Sequence, residues 1–561
     1  MKYLTTSLIS MILWSVWLEL PAQPCPTPSP ELLKRLRGHV EFLADDKLEG
    51  RDTDSQGERL ALDYLNMAFL SIGLKPVTAT GNYGQPFSFQ GPVEVAQSTQ
   101  LTVGEQVFEL DKDFYPIQQS ANGEVSGKEL VNVGFGIEAE DLDYSDYQEG
   151  EDYQGKVFLM NFSAPDGVHP HSKYLKYHDL GDRIALAIKK GAAGVIVYNA
   201  DDHLKDPLAQ FKKMSAEGIP VVFIIRKHID FFKKLPQLQT LKVSMKEVQK
   251  TGYNAVAFLD NEAPMTVVIG GHYDHLGWGE EGSLHQEGRA IHNGADDNAS
   301  GTAAVIELAR YLKEHGPKNN NYLFIGFSGE EKGLLGSKYF VENSPIDLAT
   351  INYMINMDMI GRLKDQSLII NGVGTSPIWK EVLDKIDCFD IKLSTTESGV
   401  GPSDHSSFYL KDIPVLHFFT GAHNDYHKPS DDADKVNYQG LAEVIAYIES
   451  LIQRLDDKGE IEFSKTQQEN NPNRPARFSV TLGVIPSYAF EGPGMKLDGV
   501  TEGKPAHAAG MQAGDIILQL GELKITDIMA YMRALGLFKK GDTTTAIIKR
   551  GEEEVEMELT F

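Results

Sequence analysis

Apolar residues recur every three or four positions over two stretches near the N-terminus. The first, ELLKRLRGHVEFLADD from Glu31, places its leucines and Val40 on one face of a predicted helix. The second, GERLALDYLNMAFLSIG, predicts a helix that ends at Gly73, because glycine favours the C-cap position. We therefore predict two amphipathic helices between residue 31 and residue 73.

From about residue 98 to about residue 250 the pattern changes to short β-rich runs separated by acidic loops. The runs are LVNVGFGI, GKVFLMNF, GVIVYNA and IPVVFII, and DRIALAIKKGAAG predicts a helix between them. The acidic run EAEDLDYSDYQEGEDY does not have the spacing of an EF-hand calcium loop, which favours a solvated loop.

From residue 252 to about residue 455, predicted strands alternate with predicted helices. The segments are MTVVIGGH, TAAVIELARYLKEHG, NYLFIGFS, a helix from Gly333, and INYMINMD. This alternation is typical of an α/β fold, in which a mostly parallel sheet carries helices on both faces. Ligands of such sheets bind at the carboxyl ends of the strands, so we expect a site there.

The C-terminal part of the chain forms a separate small unit. The polar segment DDKGEIEFSKTQQENNPNRPAR, from Asp456, predicts a linker. Beyond about residue 477 we expect β-structure with a helix near Asp527–Leu535 and one final strand, TTAIIKRGEEEVEMELTF.

Length and charge narrow the function classes. A chain of 561 residues exceeds what a single core supports, so several domains are expected. The formal net charge of -27 argues against nucleic acid or an anionic membrane surface as a partner. The two cysteines, Cys25 and Cys388, have no metal-type spacing and do not indicate a disulfide framework, so we expect both to be chemically silent.

The first residues predict a targeting segment. Met1 and Lys2 are followed by LTTSLISMILWSVWLEL, which is shorter than the roughly 20 apolar residues of a membrane span and contains Ser, Thr and Glu. We interpret residues 1–22 as a secretory signal peptide cleaved after Ala22, which predicts a periplasmic or secreted protein. An uncleaved signal anchor is the alternative, and no convincing lipoprotein box precedes Cys25.

Metal-binding side chains occur in five loops near the predicted strand ends. They are His272 in GGHYDHLGWG, Asp297 in HNGADDNASG, Glu331 in FSGEEKGLLGS, Asp358 in INMDMIGR and His427 in NDYHKPSDD. Two imidazoles and three carboxylates can hold two zinc ions if one carboxylate bridges them. The charge of Asp358 among apolar residues would also need a partner, which a metal supplies. These residues predict a hydrolase with two metal ions.

Three further residues are candidates for the chemistry. Glu330, next to Glu331, is free to act as a general base on a metal-bound water. Asp274 is expected to accept a hydrogen bond from the second ring nitrogen of His272. Tyr426 can donate its hydroxyl to a developing oxyanion, although an ordinary packed tyrosine fits the local sequence equally well.

Other polar residues of the same loops are expected to support the site. Asn298 or Ser300 can cap the helix that follows Asp297, and Asp404 in GPSDHSSF belongs to a site-lining turn without being a ligand. Six further histidines are expected to be mostly structural or to face the substrate: His275, His285, His292, His405, His417 and His423.

Five motifs in the region 252–455 resemble the co-catalytic zinc aminopeptidase family: GGHYDH, GADDNASG, SGEEKGLLGS, NMDMIG and YHKPSD, in this order. The resemblance implies that Asp297 bridges two Zn²⁺ ions and that Glu330 is the general base. It assigns His272 and Asp358 to one zinc ion, and Glu331 and His427 to the other. It also implies a cis peptide bond between Asp297 and Asn298.

Two other segments resemble known domains. YQGKVFLMNF, AIKKGAAGVIVYNA and IPVVFI are similar to a protease-associated (PA) domain, which in that family is inserted beside the peptidase and has no chemistry of its own. FSVTLGVIPS and KPAHAAGMQAGDIILQLGELKI, with Gly510, Gly514 and Asp515 in register, are similar to a PDZ domain.

These resemblances predict a domain order and a fold class. The order is signal peptide 1–22, first part of the peptidase domain 23–97, inserted PA domain 98–250, zinc peptidase domain 251–455, linker 456–476 and PDZ domain 477–561. The expected fold is α/β, a mixed and mostly parallel sheet flanked by helices as in zinc aminopeptidases and phosphorylase/hydrolase-like proteins, with a β-rich PA domain and a PDZ domain.

The resemblance implies an exported zinc-dependent aminopeptidase that acts on peptides with a free N-terminus. A C-terminal or extended peptide is a possible ligand of the PDZ domain. A dipeptidase or carboxypeptidase of the same family would share every ligand, and no basic residue can be assigned to a substrate α-carboxylate, so that alternative stays open. A glutaminyl cyclase uses a single zinc ion, and a non-enzymatic PA/PDZ ectodomain would be expected to lose ligands, whereas this chain keeps all five.

Overall fold

The computed structural model describes residues 25–79, 81–169, 172–207, 209, 211, 213–215, 218–285, 288–466, 480–487, 490, 492–500, 504–526, 528–535 and 537–561. The predicted signal peptide and residues 467–476 of the predicted linker lie outside the described residues. Within the described ranges, every helix is too short or too polar to cross a membrane.

Two helices begin the described chain, as their periodicity predicts. Helix α1 spans Pro30–Leu43 and α2 spans Gln56–Ile72. The side chain of Ser29 caps α1, and α2 ends at Gly73 with a φ of 79°, a conformation that glycine adopts without strain. Two short strands follow, β1 (Lys75–Pro76) and β2 (Gly84–Gln90).

The next region is β-rich. Its elements are β3 (Glu94–Val95), β4 (Gln100–Val103), β5 (Gln106–Phe108), β6 (Phe114–Pro116), β7 (Gly123–Ser126), β8 (Leu130–Asn132), β9 (Glu138–Ala139), β10 (Tyr144–Ser145), β11 (Val157–Asn161), α3 (Leu180–Lys189), β12 (Gly194–Tyr198), β13 (Val221–Ile224), α4 (Ile229–Phe232), β14 (Leu238–Val243) and β15 (Met245–Lys246). The sheet β6-β13-β12-β11-β8 is parallel except for β6, and it packs against the antiparallel sheet β5-β4-β14-β7. Helix α3 covers its other face.

The third region alternates strands and helices. Its elements are β16 (Gln249–Leu259), β17 (Met265–His272), α5 (Gly301–Glu314), β18 (Asn320–Phe327), α6 (Leu335–Glu342), β19 (Ile351–Met357), β20 (Ser367–Asn371), α7 (Ile378–Leu383), β21 (Lys392–Thr396), α8 (His405–Tyr409), β22 (Val415–Phe419) and α9 (Tyr438–Leu455).

These strands form a mixed sheet in the order β1-β16-β18-β17-β19-β22-β20-β21, with β2 also paired to β16. The four central strands, β18, β17, β19 and β22, are parallel, whereas β16 and β20 join them antiparallel. Helices α1, α2, α5 and α9 cover one face and α6 and α8 the other, so the predicted α/β architecture with a mixed sheet is confirmed. The segment 75–90 contributes β1 and β2, which makes the N-terminal region part of this domain.

The expectation that both cysteines are chemically silent is wrong. Cys25 and Cys388 form a disulfide, with their Cα atoms 5.6 Å apart and a separation of 363 positions in the chain. It ties the first described residue to the segment after α7. No spacing pattern indicates this disulfide, because only the folded chain brings two residues so distant in sequence together.

The C-terminal unit has its own core. Its elements are β23 (Val484–Pro486), β24 (Met495–Val500), α10 (Pro505–Ala508), β25 (Ile516–Leu520), β26 (Leu523–Lys524), α11 (Ile528–Leu535), β27 (Thr543–Arg550) and β28 (Glu553–Thr560). The single final strand of the prediction is wrong, since β27 and β28 form a hairpin that turns at Gly551, where φ is 61°. Apolar and polar residues alternate on both sides of the turn, so the pattern alone does not show that one strand ends and another begins.

Candidate metal centre

The five predicted ligands meet at the carboxyl ends of the parallel strands. His272 is the last residue of β17, Asp358 follows β19 directly, and Glu331 lies four residues beyond β18. Asp297 lies just before α5, and His427 is in the loop after β22. The five residues therefore lie together at the position where the rule for open α/β sheets predicts a site.

The distances between the ligand atoms follow a regular pattern around Asp297. His272 Nε2 lies 3.3 Å from Asp297 Oδ1 and 3.3 Å from Asp358 Oδ1. On the other side, His427 Nε2 lies 3.4 Å from Asp297 Oδ2 and 3.3 Å from Glu331 Oε2. Each oxygen of Asp297 thus faces a different histidine and a different second carboxylate.

This spacing fits zinc. Bonds of about 2.0–2.1 Å to a tetrahedral ion place neighbouring ligand atoms about 3.3–3.4 Å apart. Imidazole nitrogens and carboxylate oxygens are also the donors that zinc takes in enzymes. His272, Asp297 and Asp358 would hold one ion, and His427, Asp297 and Glu331 the other, as the family resemblance implies.

His275 is a neighbour of the site to which the sequence assigned no specific role. Its ligand atoms and those of Asp297 and Glu331 lie within 4.8 Å of one another. However, His275 Nδ1 is only 2.7 Å from Glu331 Oε1, a hydrogen-bond distance, and 4.0 Å from Asp297. We therefore interpret His275 as a group that orients Glu331, and His427 as the ligand.

A cis peptide bond joins Asp297 to Asn298, as the resemblance implies. Asn298 Oδ1 accepts the amide of Gly301 at 2.9 Å, which caps α5 as expected, and its side-chain amide donates to the carbonyl of Met357. Asn298 thereby connects the loop of Asp297 to the end of the strand that precedes Asp358.

A buried carboxylate fixes the same loop from the other side. Asp431 Oδ2 accepts the amides of Asp296 and Asp297 at 2.9 and 3.0 Å, and its Oδ1 accepts from Arg362 at 2.9 Å. Asp431 lies four residues after His427, in the YHKPSD motif. It therefore couples the two loops that carry Asp297 and His427, a role the sequence did not reveal.

A hydrogen bond joins the backbone amide of Glu330 to the carboxylate of Asp274. Asp274 is fully buried, and its carboxylate accepts the amide of Glu330 and the hydroxyl of Thr53, each at 3.2 Å. The Nδ1 atom of His272 lies 3.1 Å from the carbonyl of Asp274 and 3.6 Å from its carboxylate, so the backbone oxygen is the nearer acceptor. Burial raises the pKa of Glu330 well above its ordinary value, the charge of His272 opposes this, and Glu331 adds to it.

The remaining predicted residues lie around the centre. The ring of Tyr426 stacks on His427 with centroids 3.8 Å apart, and burial, followed by the charges of Asp297 and Glu331, raises the pKa of its hydroxyl. Asp404 is fully buried, and burial raises its pKa to about 7. His405 and His417 stack on each other behind the site, with centroids 4.5 Å apart.

Arg51 is a support of the site that sequence reasoning missed. Its side chain is fully buried and donates to the carbonyls of Leu43, Tyr273, Asn293 and Gly294. The carbonyl of Leu43 ends α1, and the other three belong to the loops that precede Asp297 and follow His272. An arginine is rarely fully buried, so a loop arginine in KLEGRDTDSQ gives no signal of this role.

Three family models match the chain. Residues 254–452 match peptidase family M28, residues 125–230 match the PA domain, and residues 468–561 match the PDZ domain. All five predicted ligands fall within the first match.

Curated relatives carry aminopeptidase names. An aminopeptidase of Pseudomonas aeruginosa strain UCBPP-PA14 is 27% identical over 411 residues, which covers 70% of this chain and 70% of the relative. Aminopeptidase YwaD of Bacillus subtilis strain 168 is 29% identical over 347 residues, which covers 58% of this chain and 67% of the relative. Among solved structures, the zinc aminopeptidase BSAP from Bacillus subtilis aligns with a TM-score of 0.45 and 21% identity, over 78% of this chain and 97% of that one.

Proposed function

We propose that this chain, which carries a peptidase family M28 domain joined to PA and PDZ domains, is a zinc-dependent aminopeptidase that removes N-terminal residues from peptides. The proposal extends to a site with two zinc ions, in which Glu330 is the general base. Its support is the names of the relatives together with the geometry of the metal centre.

One observation carries the two-ion proposal. The two oxygens of Asp297 point to two separate histidines at 3.3 and 3.4 Å, and each histidine lies 3.3 Å from a further carboxylate. A single ion would not need both oxygens of Asp297 at this spacing. Two ions that share a bridging carboxylate would need them both.

Zinc ions at these positions would supply an activated water as nucleophile and polarise the scissile carbonyl. Glu330 lies next to the ligand Glu331, and its amide is held by Asp274. This position suits a carboxylate that takes a proton from the attacking water and passes it to the leaving amine.

Two other side chains would assist this step. Tyr426, stacked on His427, would donate its hydroxyl to the oxyanion that develops on the carbonyl oxygen. Asp274 would keep His272 and Glu330 in position, through its carbonyl for the first and its carboxylate for the second.

We also propose that the protein is exported and that its PDZ domain binds peptides. The apolar N-terminal stretch and a disulfide, which is typical of oxidising compartments, support export. Among the described strands, β23 pairs only with β24 and lies at the edge of its sheet, where an extended peptide can add as a further strand. N-terminal sequencing of protein recovered from the medium or periplasm tests export, since a retained Met1 would contradict cleavage.

The activity is tested with a panel of aminoacyl-p-nitroanilides, N-acetylated aminoacyl-p-nitroanilides and C-terminally blocked dipeptides. We expect zinc-dependent hydrolysis of the free-amine substrates only, and Glu330→Gln should lower kcat by about 10²–10⁴-fold. A requirement for a free substrate carboxylate would instead indicate a dipeptidase or carboxypeptidase. Hydrolysis of acetylated substrates, or full activity of Glu330→Gln, would contradict the proposal.

A further inference from the structure

A large cavity separates the PA and PDZ domains. Its volume is about 1410 Å³, and its walls include Val168 and Leu175 from the PA domain and Leu518 and Leu537 from the PDZ domain. Pockets for small molecules usually measure about 300–1,000 Å³. The cavity therefore has room for more than an amino acid.

Exposed apolar side chains lie on both facing walls. Val168 is 40% exposed and Leu537 is 52% exposed, and each belongs to a different domain. A single exposed apolar residue needs no explanation, but two on opposite walls of one cavity are typical of a surface that binds a partner. The walls also carry charges of both signs, among them Lys176 and Glu522, which suits a peptide without a strong net charge.

One residue of the cavity wall belongs to a loop that contacts a predicted metal ligand. Glu281, from the peptidase domain, also lines it. The carbonyl of the next residue, Gly282, lies 2.9 Å from His427 Nδ1, and the amide of Leu284 donates to the carbonyl of His427 at 2.9 Å. The loop that contributes Glu281 to the cavity wall is therefore hydrogen-bonded to the predicted ligand His427.

An ion pair joins the two domains at this cavity. Lys524 Nζ of the PDZ domain lies 2.7 Å from Asp182 Oδ1 of the PA domain, and both residues line the cavity. Both side chains are about half exposed, so the pair contributes little stability, and it bridges the two domains at the cavity wall.

We propose that this cavity holds the part of a peptide substrate that lies C-terminal to the cleaved residue. The inference rests on the proposed aminopeptidase function and adds a substrate class, namely peptides that extend well beyond a dipeptide. An extended peptide of about ten residues spans about 33 Å, which is long enough to leave the metal centre and run between the two domains. Aminoacyl-p-nitroanilides end at the metal centre and do not reach the cavity.

The test compares Val168→Glu and Leu537→Glu with Val107→Glu, a matched control in the PA domain that is 67% exposed and outside the cavity. For a peptide of about ten residues with a free N-terminus, the two cavity variants should lower kcat/KM by about tenfold. All three variants should hydrolyse aminoacyl-p-nitroanilides like the wild type. Fluorescence anisotropy of the same labelled peptide on Glu330→Gln, with and without the cavity substitutions, measures binding without turnover.

The outcomes separate the two proposals. If the wild type hydrolyses none of the p-nitroanilides, the aminopeptidase function fails. If it hydrolyses them, but the cavity variants bind and cleave the long peptide like the wild type, only the cavity proposal is overturned. An equal loss on short and long substrates would also overturn it, because that result would place the effect at the metal centre. Reversing the ion pair with Lys524→Asp and restoring it with Asp182→Lys should lower and then recover the preference for the long peptide.

Discussion

The peptidase and PA domains share one structural feature, a buried arginine that donates to backbone carbonyls at the strand ends. In each domain, the parallel strands of a mixed sheet end in loops, and a fully or almost fully buried arginine donates hydrogen bonds to backbone carbonyls of these loops. Arg51 donates to four carbonyls beside the metal centre. Arg183, 3% exposed, donates to the carbonyls of Phe135, Asn161, Phe162, Ser163 and His178. Burial lowers the pKa of both arginines to about 10.

The side chains on these loops differ completely. In the peptidase domain they are histidines and carboxylates whose ligand atoms converge around Asp297. In the PA domain, a half-buried carboxylate near the strand ends is Asp146, which accepts the amides of Phe135 and Ile137 and the hydroxyl of Tyr144. Within the described residues, groups of side chains that could hold a metal occur only in the peptidase domain.

The arginine that holds the loops in place and the side chains that the loops carry therefore have separate roles. A buried cation that binds carbonyls sets the shape of the strand ends, and the residues placed there decide whether a reaction follows. Replacing the buried arginine should therefore lower the stability of either domain. Replacing the predicted metal ligands or the residues that position them should affect only the peptidase domain.

The largest effect is expected from the arginines themselves. Arg51→Met and Arg183→Met each leave several buried carbonyls without a donor, so each should lower the free energy of unfolding by about 3–5 kcal/mol. Urea unfolding followed by tryptophan fluorescence measures the effect of Arg51→Met, because Trp278 and Trp379 lie in the peptidase domain. Residues 98–250 contain no tryptophan, so far-UV circular dichroism, which reports on both domains, measures the effect of Arg183→Met.

Arg51→Met should also reduce zinc binding, and Arg183→Met should leave it unchanged. Arg51→Lys keeps the charge but loses the fork of donors, and we expect an intermediate loss. If Arg51→Met retained normal stability and zinc affinity, the support role of Arg51 would be refuted.

A second prediction contrasts a buried ion pair of the peptidase domain with an exposed pair of the PA domain. Burial would raise the pKa of Glu307, but hydrogen bonds from His39 and Arg35 outweigh it and lower the pKa to about 2. A carboxylate with a lowered pKa stabilises the fold above its unfolded pKa of about 4.5, and this contribution is lost as the pH falls towards 2.

Between pH 5 and pH 2 the wild type should therefore lose about 3 kcal/mol that Glu307→Gln does not lose. Urea unfolding at several pH values measures the difference. The control is Glu124→Gln, which removes the exposed pair with Lys242 in the PA domain and should change stability by about 1 kcal/mol or less. Parallel pH profiles for wild type and Glu307→Gln would contradict the assignment.

The smallest effect is expected from replacing a single carboxylate, Asp274 in the peptidase domain or Asp146 in the PA domain. Asp274→Asn weakens the acceptor of the Glu330 amide beside His272, so zinc affinity should fall by about 10–100-fold while the fold persists. Asp146→Asn in the PA domain should leave zinc affinity unchanged. Competition with a chromogenic chelator measures both variants, and an equal affinity for the two would argue against a role for Asp274.

Sequence periodicity predicted much of the architecture and of the site. The helices α1, α2 and α5, the central parallel strands and the position of the ligands at their ends follow from apolar patterning and from the rule for open α/β sheets. Polar residues that interrupt apolar runs, such as Asp358, were visible because they contradict their surroundings.

The supports of the site were not predictable in the same way. Arg51, Asp431 and the Cys25–Cys388 disulfide act on partners that are distant in sequence, often through backbone atoms that carry no residue-specific signal. The role of His275 depends on a distance of 2.7 Å to Glu331, which spacing along the chain cannot specify. Such roles become visible only when the loops are seen together.

We propose that Asp297 bridges two zinc ions at the ends of the parallel strands. The most direct test is the zinc content of the purified protein, measured by inductively coupled plasma mass spectrometry for the wild type and for Asp297→Ala. We expect two zinc ions per wild-type chain and the loss of both in the variant, since each ion shares this ligand. A wild type that binds a single zinc ion, or an Asp297→Ala variant that keeps two, would show that Asp297 does not bridge two zinc ions.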